Sequence, residues 1–166
     1  VLYRTNAQSR LFEERFIAAN IPYKIVGGVN FYSRKEVKDI LSYLKTIDNG
    51  HDDLAVRRII NVPKRGIGAT TINRVSNYAA ENDMDFYTAL TKASEIPGIG
   101  KAATKVEPFV LFIQSMRARA EIESVSELLR DIIETTGYVH ELEAEGTDEA
   151  EARIENIDEL ISKACD

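Results

Sequence analysis

The sequence predicts a mainly helical protein in which a helical lobe follows a short strand–helix–strand unit. Apolar residues recur every three or four positions along most of the 166 residues, as on the buried face of an amphipathic helix. Two short apolar runs, at 1–4 and 23–26, have instead the length and composition of strands. The strand–helix–strand unit therefore covers residues 1–30, and the helical lobe covers residues 31–166.

The first unit begins with the predicted strand at 1–4. Thr5 and Gln8 have the spacing of a capping box, which predicts that a helix starts there. This helix would bury an apolar face made of Ala7, Leu11, Phe12, Phe16 and Ala19. Two strands joined by a helix run parallel. A sheet of two such strands is too small to be stable alone, so we expect it to continue in further strands outside this sequence.

The lobe is predicted from apolar stripes at helical spacing. Pro63 and Gly137 end two of its helices, and Ser124 with Glu127 forms a second capping box. The stripes lie at 37–47, 54–60, 72–79, 102–116, 125–133 and 154–161.

Composition indicates an ordinary globular protein, with 44% apolar and 29% charged residues. No apolar run approaches the roughly 20 residues of a membrane span. The single cysteine, Cys165, has no internal partner for a disulfide, as expected in a reducing cytoplasm. The first residue is Val1 rather than Met, so we expect the chain to be an excised part of a longer protein.

Charge is distributed unevenly around the net value of −6. Residues 121–166 carry 15 acidic and 3 basic residues, whereas residues 1–120 carry 12 acidic and 18 basic residues. The segment 54–80 has five basic residues and no acidic ones. Because local charge steers phosphate groups, this segment is the expected nucleic-acid surface. The acidic carboxyl-terminal part is predicted to be a solvated helical face.

Two Gly-Ile-Gly segments, at 66–68 and 98–100, each open a predicted helix. Glycine permits positive φ, and the first amides of a helix have no internal acceptor, so a phosphate can bind there. Such helix-hairpin-helix-like turns grip a nucleic-acid backbone without reading bases. The alternative is that both are only structural turns. The candidate duplex-binding residues are Lys64, Arg65, Gly66, Gly68 and Thr71 at the first segment, and Gly98, Gly100 and Lys101 at the second.

Three blocks resemble the PcrA/UvrD/Rep group of superfamily-one DNA helicases in order and spacing. They are LYRTNAQSRLFEE (2–14), IPYKIVGGVNFYSRKEVKDILSYL (21–44) and NVPKRGIG (61–68). The resemblance implies an ATP-dependent parent helicase that moves 3′ to 5′, in repair or replication. Residues 1–30 would then be part of its second RecA-like motor domain (2A). Residues 31–166 would be its helical insertion subdomain (2B), truncated at the carboxyl end and gripping duplex DNA.

The block YRTNAQSR resembles the family's motif at the single-strand track. The resemblance implies that Arg4 and Asn6 contact the backbone of single-stranded DNA, since both side chains can donate to phosphate. Structural alternatives exist for the neighbouring polar residues. Thr5 and Gln8 would only cap the helix, and Arg10 would pair with Glu13 or Glu14.

The two glycines Gly27 and Gly28 mark the expected hinge between the motor domain and the insertion. A plain tight turn after a strand is the alternative. The charged residues that follow, at 34–39, are expected to form pairs on the helix surface. A DNA contact by Lys35 is the other interpretation of this run.

The sequence contains no Gly-rich loop ending in Lys-Ser/Thr, and His51 and His140 lack metal-ligand spacing. We therefore expect no catalysis, metal or cofactor in this chain, with ATP and Mg²⁺ bound by the rest of the parent. Expected partners are duplex DNA, single-strand/duplex junctions and the remaining helicase domains, and no membrane. Two other functions remain open: a stand-alone DNA-binding module, and a protein-interaction or autoinhibitory lobe.

Overall fold

A computed structural model describes residues 1–26 and 28–165. Its helices are α1 (Ser9–Ala18), α2 (Lys35–Asp48), α3 (Asp53–Ile59), α4 (Ala69–Glu81), α5 (Phe86–Thr91), α6 (Ala103–Ala120), α7 (Val125–Thr136), α8 (Tyr138–Glu145) and α9 (Asp148–Cys165). Short 3-10 helices cover Asn6–Gln8, Phe31–Ser33, Ala93–Glu95 and Gly100–Ala102. The prediction of a mainly helical protein is confirmed.

The predicted strands are not formed: no strand occurs among the described residues. The segments 1–4 and 23–26 follow irregular paths, and the side chains of Val1, Leu2 and Val26 are exposed. A pair of strands without neighbours or a covering layer buries too little apolar surface to be stable. The strand–helix–strand prediction is therefore wrong for this chain.

Helix α1 buries a different face from the predicted one. Its buried residues are Ser9, Arg10 and Glu13, whereas Leu11 and Phe12 are 53% and 38% exposed. Together with the segments 1–3 and 23–26, the apolar side of α1 lines an open groove. The apolar pattern was correct for a helix packed on a sheet, but the described chain supplies no sheet to cover it.

The main core of the lobe lies between α2, α3, α4, α5 and α6. It includes the central isoleucines of both Gly-Ile-Gly segments, Ile67 and Ile99, which are 1% and 5% exposed. Its largest fully buried side chains include Tyr43, Phe86, Phe109, Ile59, Ile60 and Ile113. Both segments are therefore anchored in one apolar core.

A second core, which we call the terminal core, joins Phe31 and α2 to α7, α8 and α9. The Ser124–Glu127 capping box predicted for α7 is present, with the Ser124 amide donating to Glu127 at 2.8 Å. Gly137 ends α7 at φ 69°, as predicted. Most carboxylates of α8 and α9 point to solvent, which confirms the predicted solvated acidic face. No helix in the described ranges is long and apolar enough to cross a bilayer.

Candidate nucleic-acid interface

The first Gly-Ile-Gly segment places a buried side chain between two exposed glycines. Gly66 has φ +68°, so it uses the left-handed region that favours glycine. Ile67 points into the main core. Gly68 has φ −81° and ψ 168° and is the N-cap of α4. Only the first glycine of this segment therefore needs positive φ; the same expectation for Gly68 is wrong.

The start of α4 presents a row of amides. Within the described part of the chain, the amides of Gly68, Ala69 and Thr70 donate to no protein acceptor. The next two, at Thr71 and Ile72, donate to the Gly68 carbonyl at 3.0 and 3.1 Å. Gly68 to Thr70 are exposed. Because the positive end of the helix dipole lies at the same place, the row suits an anion such as phosphate.

The loop before the first segment is fixed by two side chains. The Asn61 side-chain oxygen accepts from the Arg65 amide at 2.8 Å and from the Ile67 amide at 3.3 Å. The Tyr43 hydroxyl donates to the Val62 carbonyl at 2.7 Å. The segment is therefore held in one shape before any ligand arrives.

Arg65, predicted to face DNA, points inward instead. Its guanidinium donates to the carbonyls of Ile59, at 2.8 Å, and Ile60, at 3.2 Å, which lie at the end of α3. It lies 5.2 Å from the centroid of the Phe109 ring and donates to the Tyr43 hydroxyl. Arg65 thus supplies charged donors to carbonyls at the end of a helix, and its place in the fold is structural.

The other candidates of the first segment face solvent. Lys64 is exposed and Thr71 is half-buried. A Cβ added at Gly68 would meet nothing within 4 Å, so the space beside this glycine is open. The structure brings Lys64, Gly66, Gly68 and Thr71 together in one place.

The second segment resembles the first only in part. Gly98 has φ +75°, close to Gly66, but Gly100 has φ +54° where Gly68 has a negative value. The Ile99 amide donates to Ile96, and α6 begins only after the 3-10 turn Gly100–Ala102. Lys101 is exposed. This segment therefore offers a cation but a less regular row of amides.

Two cations make contacts at the segments that sequence reasoning did not predict: Lys105, and Arg74 of the basic segment 54–80. Lys105 of α6 donates from Nζ to the Gly66 carbonyl at 3.2 Å, and Arg74 of α4 donates to the Gly98 carbonyl. These partners are 39 and 24 residues apart in sequence. No local pattern signals such pairs, although each cation follows the second glycine of its own segment by five or six residues.

The single-strand candidates Arg4 and Asn6 are both exposed at the amino-terminal end of the chain. The Gln8 side-chain oxygen accepts from the amides of Arg4, at 3.0 Å, and Thr5, at 3.4 Å. The capping role of Gln8 is confirmed. The backbone at Arg4 is thereby held, while its side chain remains exposed.

Arg10 forms ion pairs, as one of the alternatives predicted. It contacts Glu14 at 3.1 Å, and it also reaches Glu159 of α9 at 2.8 Å. The guanidinium is almost completely buried. The second pair, to the far end of the chain, has no counterpart in the local sequence pattern.

The predicted hinge lies beside a buried polar network. Gly27 lies outside the described residues, and Gly28 is exposed. Arg34 donates to Ser9 of α1 at 2.8 Å and to Asn156 of α9 at 2.7 Å. Ser9 donates to Glu13 at 2.7 Å. The Asn156 amide donates to the Glu36 carboxylate. We call Ser9, Glu13, Arg34, Glu36 and Asn156 the junction network.

The expectation of surface charge pairs at 34–39 is wrong, because Arg34, Glu36 and Asp39 are buried. Burial lowers the pKa of Arg34, against the raising effect of Glu13 and Glu36. Asp39 instead accepts from Arg58, at 2.6 Å, and from the Tyr138 hydroxyl, at 2.7 Å. Lys35 remains exposed.

The isolated histidines and the paired aspartates have ordinary partners. His51 contacts Asp85 at 2.8 Å, and Asp52 caps α3 by accepting from the Ala55 amide at 3.1 Å. Asp53 accepts from the Phe86 amide at 2.9 Å. Within residues 1–26 and 28–165, no three His, Cys, Asp or Glu side chains come together as a metal site.

Comparison with known proteins matches the sequence of this chain to one family. The model of the UvrD-like helicase C-terminal domain matches residues 1–166. The ATP-dependent DNA helicase PcrA of Staphylococcus aureus (strain Mu50 / ATCC 700699) is 45% identical over 162 residues, which are 98% of this chain and 22% of that protein. PcrA of Bacillus subtilis (strain 168) is 44% identical over the same shares. The chain thus spans about a fifth of these relatives, and it belongs to the family of UvrD-like helicase C-terminal domains.

Proposed function

We propose that this chain is the duplex-holding part of a larger ATP-dependent DNA helicase that moves 3′ to 5′ along one strand. The relatives of this chain in Staphylococcus aureus and Bacillus subtilis are named ATP-dependent DNA helicases. Because the chain spans 22% of their length, most of the motor would lie in the remainder of the parent.

The observation that carries the proposal is the exposed amino end of α4 beside Lys64. A duplex phosphate would accept from the amides of Gly68, Ala69 and Thr70, which have no acceptor in the described chain. Lys64 adds a point charge and Thr71 a hydroxyl donor. Gly66 lets the backbone turn, and Gly68 leaves the approach open. Such contacts hold the DNA backbone and carry no base preference.

The second segment would make a supplementary contact through Gly98, Gly100 and Lys101. Its amides are less regularly placed, so the charge of Lys101 would contribute most of the attraction. Arg65 is left out of the proposed contacts, because its guanidinium is occupied by backbone carbonyls and by Tyr43. The helix-hairpin-helix interpretation of both segments is part of this proposal.

The first thirty residues would belong to the second motor domain (2A), and residues 31–166 to its helical insertion (2B). Arg4 and Asn6 are exposed, as contacts to single-stranded DNA in the motor track would require. The apolar groove beside α1 would be covered by the rest of the motor domain. Gly28, at the boundary of the two parts, would lie at the hinge together with Gly27.

ATP and Mg²⁺ would bind elsewhere in the parent. This sequence has no Gly-rich loop ending in Lys-Ser/Thr, so its residues do not fit a site for the phosphates of ATP. The remaining helicase domains are thus both the proposed source of the nucleotide site and the proposed protein partners. In the motor cycle they would pull single strand past Arg4 while the lobe holds duplex.

The double substitution Lys64→Ala/Thr71→Ala tests duplex holding. Both side chains lie outside the main core, so the free energy of unfolding should change by less than about 0.5 kcal/mol. Fluorescence titration with a duplex/single-strand junction at several salt concentrations should show weaker binding. The slope of log affinity against log salt should flatten by about one unit for the lost Lys contact. Lys38→Ala, at an exposed lysine on α2 that is not among the proposed DNA contacts, is the matched control.

The same titration separates the other functions. A protein-interaction lobe would bind no junction DNA at any salt concentration. In the full-length parent, the double substitution should impair unwinding more than ATP hydrolysis on single strands, because the motor track is elsewhere. Unchanged junction binding together with unchanged unwinding would show that the first segment is only a structural turn.

A further inference from the structure

Two hydrogen bonds cross between the Gly-Ile-Gly segments in opposite directions. Lys105 lies on α6, which follows the second segment, and donates to the Gly66 carbonyl of the first at 3.2 Å. Arg74 lies on α4, which follows the first segment, and donates to the Gly98 carbonyl of the second. Each segment is therefore held by a cation from the helix that the other segment opens.

The two acceptors occupy equivalent positions. Gly66 and Gly98 are each the first glycine of their segment, and their φ values are +68° and +75°. Both glycines thus use the left-handed region of φ, and the carbonyl of each accepts from a cationic side chain. The central residues Ile67 and Ile99 lie in the main core, so both segments pack on the same apolar core. This reciprocity is an arrangement of the pair and is not a property of either segment alone.

The crossing bonds do not neutralise the cations. Both acceptors are carbonyl oxygens, and the ion pairs among the described residues include none of Lys64, Arg74, Lys101 and Lys105. All four side chains belong to exposed residues. The pair of segments therefore carries uncompensated positive charge, as a surface that binds a polyanion requires.

We propose that Arg74 and Lys105 are positioning residues that join the two segments into one binding unit, so that both hold the backbone of the same DNA duplex at once. This inference rests on the proposed duplex-binding function. When two contacts are held at a fixed spacing, binding of the second becomes intramolecular. Preorganised loops also lose less conformational entropy on binding. Without the crossing bonds, each segment would meet the duplex independently.

A matched pair of substitutions separates positioning from charge. Lys105→Gln and Lys105→Met remove the same charge and have side chains of similar length, but only Gln keeps an N–H donor for the Gly66 carbonyl. The Gln amide nitrogen takes the place of the Lys105 Cε, one bond short of the Nζ that donates to this carbonyl at 3.2 Å. Arg74→Gln and Arg74→Met form the corresponding pair at the second segment.

In titrations of the 166-residue chain with a short fluorescein-labelled duplex, the Gln and Met variants should have equal salt slopes. Each Met variant should bind about 3- to 10-fold more weakly than its Gln counterpart, the loss expected for one hydrogen bond. Lys101→Ala should weaken binding by the wild type several-fold, and it should cause a clearly smaller loss in the Arg74→Met/Lys105→Met background. Circular dichroism melting confirms that each variant is folded.

Equal affinity of the Gln and Met variants would overturn the inference, as would an equal effect of Lys101→Ala in both backgrounds. Failure of the proposed function has a different signature: Lys64→Ala would then leave duplex affinity unchanged in every background, and the inference would fall with it. If Lys64→Ala weakens binding while the Gln and Met variants have equal duplex affinity, the first segment binds DNA and the crossing bonds only support the fold.

Discussion

Around the Gly-Ile-Gly segments the interior is apolar and most cations face outward, whereas at the junction of α1, α2 and α9 the cations are inside. The main core under the segments is formed by residues such as Ile67, Ile99 and Phe109. At the junction, Arg10 and Arg34 are 2% and 7% exposed and contact carboxylates, hydroxyls and amides from distant parts of the chain.

The difference teaches that charge alone does not identify the functional surface of this chain. Exposed cations that lie over an apolar core can be substituted with little loss of stability, because they make few contacts in the fold. A buried cation is instead bound to several groups that have lost their water, and its removal leaves them unpaired. Substitutions should therefore affect binding at the segments and stability at the junction.

The largest expected effect is at the junction. Arg34→Met would remove the buried cation that donates to Ser9 and Asn156 and whose charge acts on the buried carboxylates of Glu13 and Glu36. The free energy of unfolding should fall by about 3 kcal/mol or more, because two hydrogen bonds from a charged group are lost and each typically contributes about 1.5 to 3 kcal/mol. Urea unfolding followed by circular dichroism measures it, with Lys35→Met at the exposed neighbouring position as the control. A loss no greater than that of the control would show that the network contributes little.

The second prediction concerns the cation at the first segment that faces inward. Arg65→Met removes charged donors from the carbonyls of Ile59 and Ile60 and from the Tyr43 hydroxyl. We expect a loss of roughly 1.5 to 3 kcal/mol, the range for a hydrogen bond to a charged group. The matched variant Lys64→Met, at the adjacent exposed residue, should be nearly neutral in the same urea titration. If the two variants were equally stable, the hydrogen bonds of Arg65 would contribute no more to folding than an exposed lysine does.

Sequence patterns predicted the lobe well, because its signals are local. Apolar stripes, the Ser124–Glu127 capping box and the Gly137 helix end each depend on residues within one or two helical turns. Lys64, which the sequence placed among the candidate DNA contacts, is exposed, as that role requires.

The remaining features depend on distant partners. The predicted strands at 1–4 and 23–26 need sheet neighbours that the described chain does not provide. The inward turn of Arg65, the crossing bonds of Lys105 and Arg74, and the burial of Arg34 arise from side chains brought together by the fold. A count of basic residues in the sequence does not distinguish these four side chains, because tertiary packing determines the surroundings of each.

The two glycines of the first segment offer a third prediction. Gly66→Ala places a side chain at φ +68°, which costs about 1 to 2 kcal/mol in the left-handed region. Gly68→Ala meets open space at φ −81° and should leave stability nearly unchanged. Its methyl group would project where the phosphate approaches, so duplex affinity should fall. Thermal melting and fluorescence titration of both variants test this, and normal duplex binding by Gly68→Ala would contradict the proposed contact.

The smallest expected effect is a pH dependence at the rim of the junction. The Tyr32 hydroxyl donates to Glu14 at 2.7 Å. Burial, followed by this hydrogen bond, raises the pKa of Tyr32 from 10.0 to about 12. A raised pKa means that the folded state favours the neutral phenol. The stability that results is therefore fully present below pH 10 and is lost as the pH rises through about 12.

Tyr32→Phe removes that contribution and keeps the ring. Because Tyr32 is 41% exposed, solvent screens the interaction, and we expect only a small difference in urea midpoint between wild type and variant. The difference should be constant up to pH 10 and should shrink as the pH approaches 12, since ionised Tyr32 would face the Glu14 carboxylate. A series of urea titrations across this range measures it. If the difference stayed the same at every pH, Tyr32 would stabilise the junction through ring packing alone, and the ordered hydroxyl would have no part in holding α1 to the segment that precedes α2.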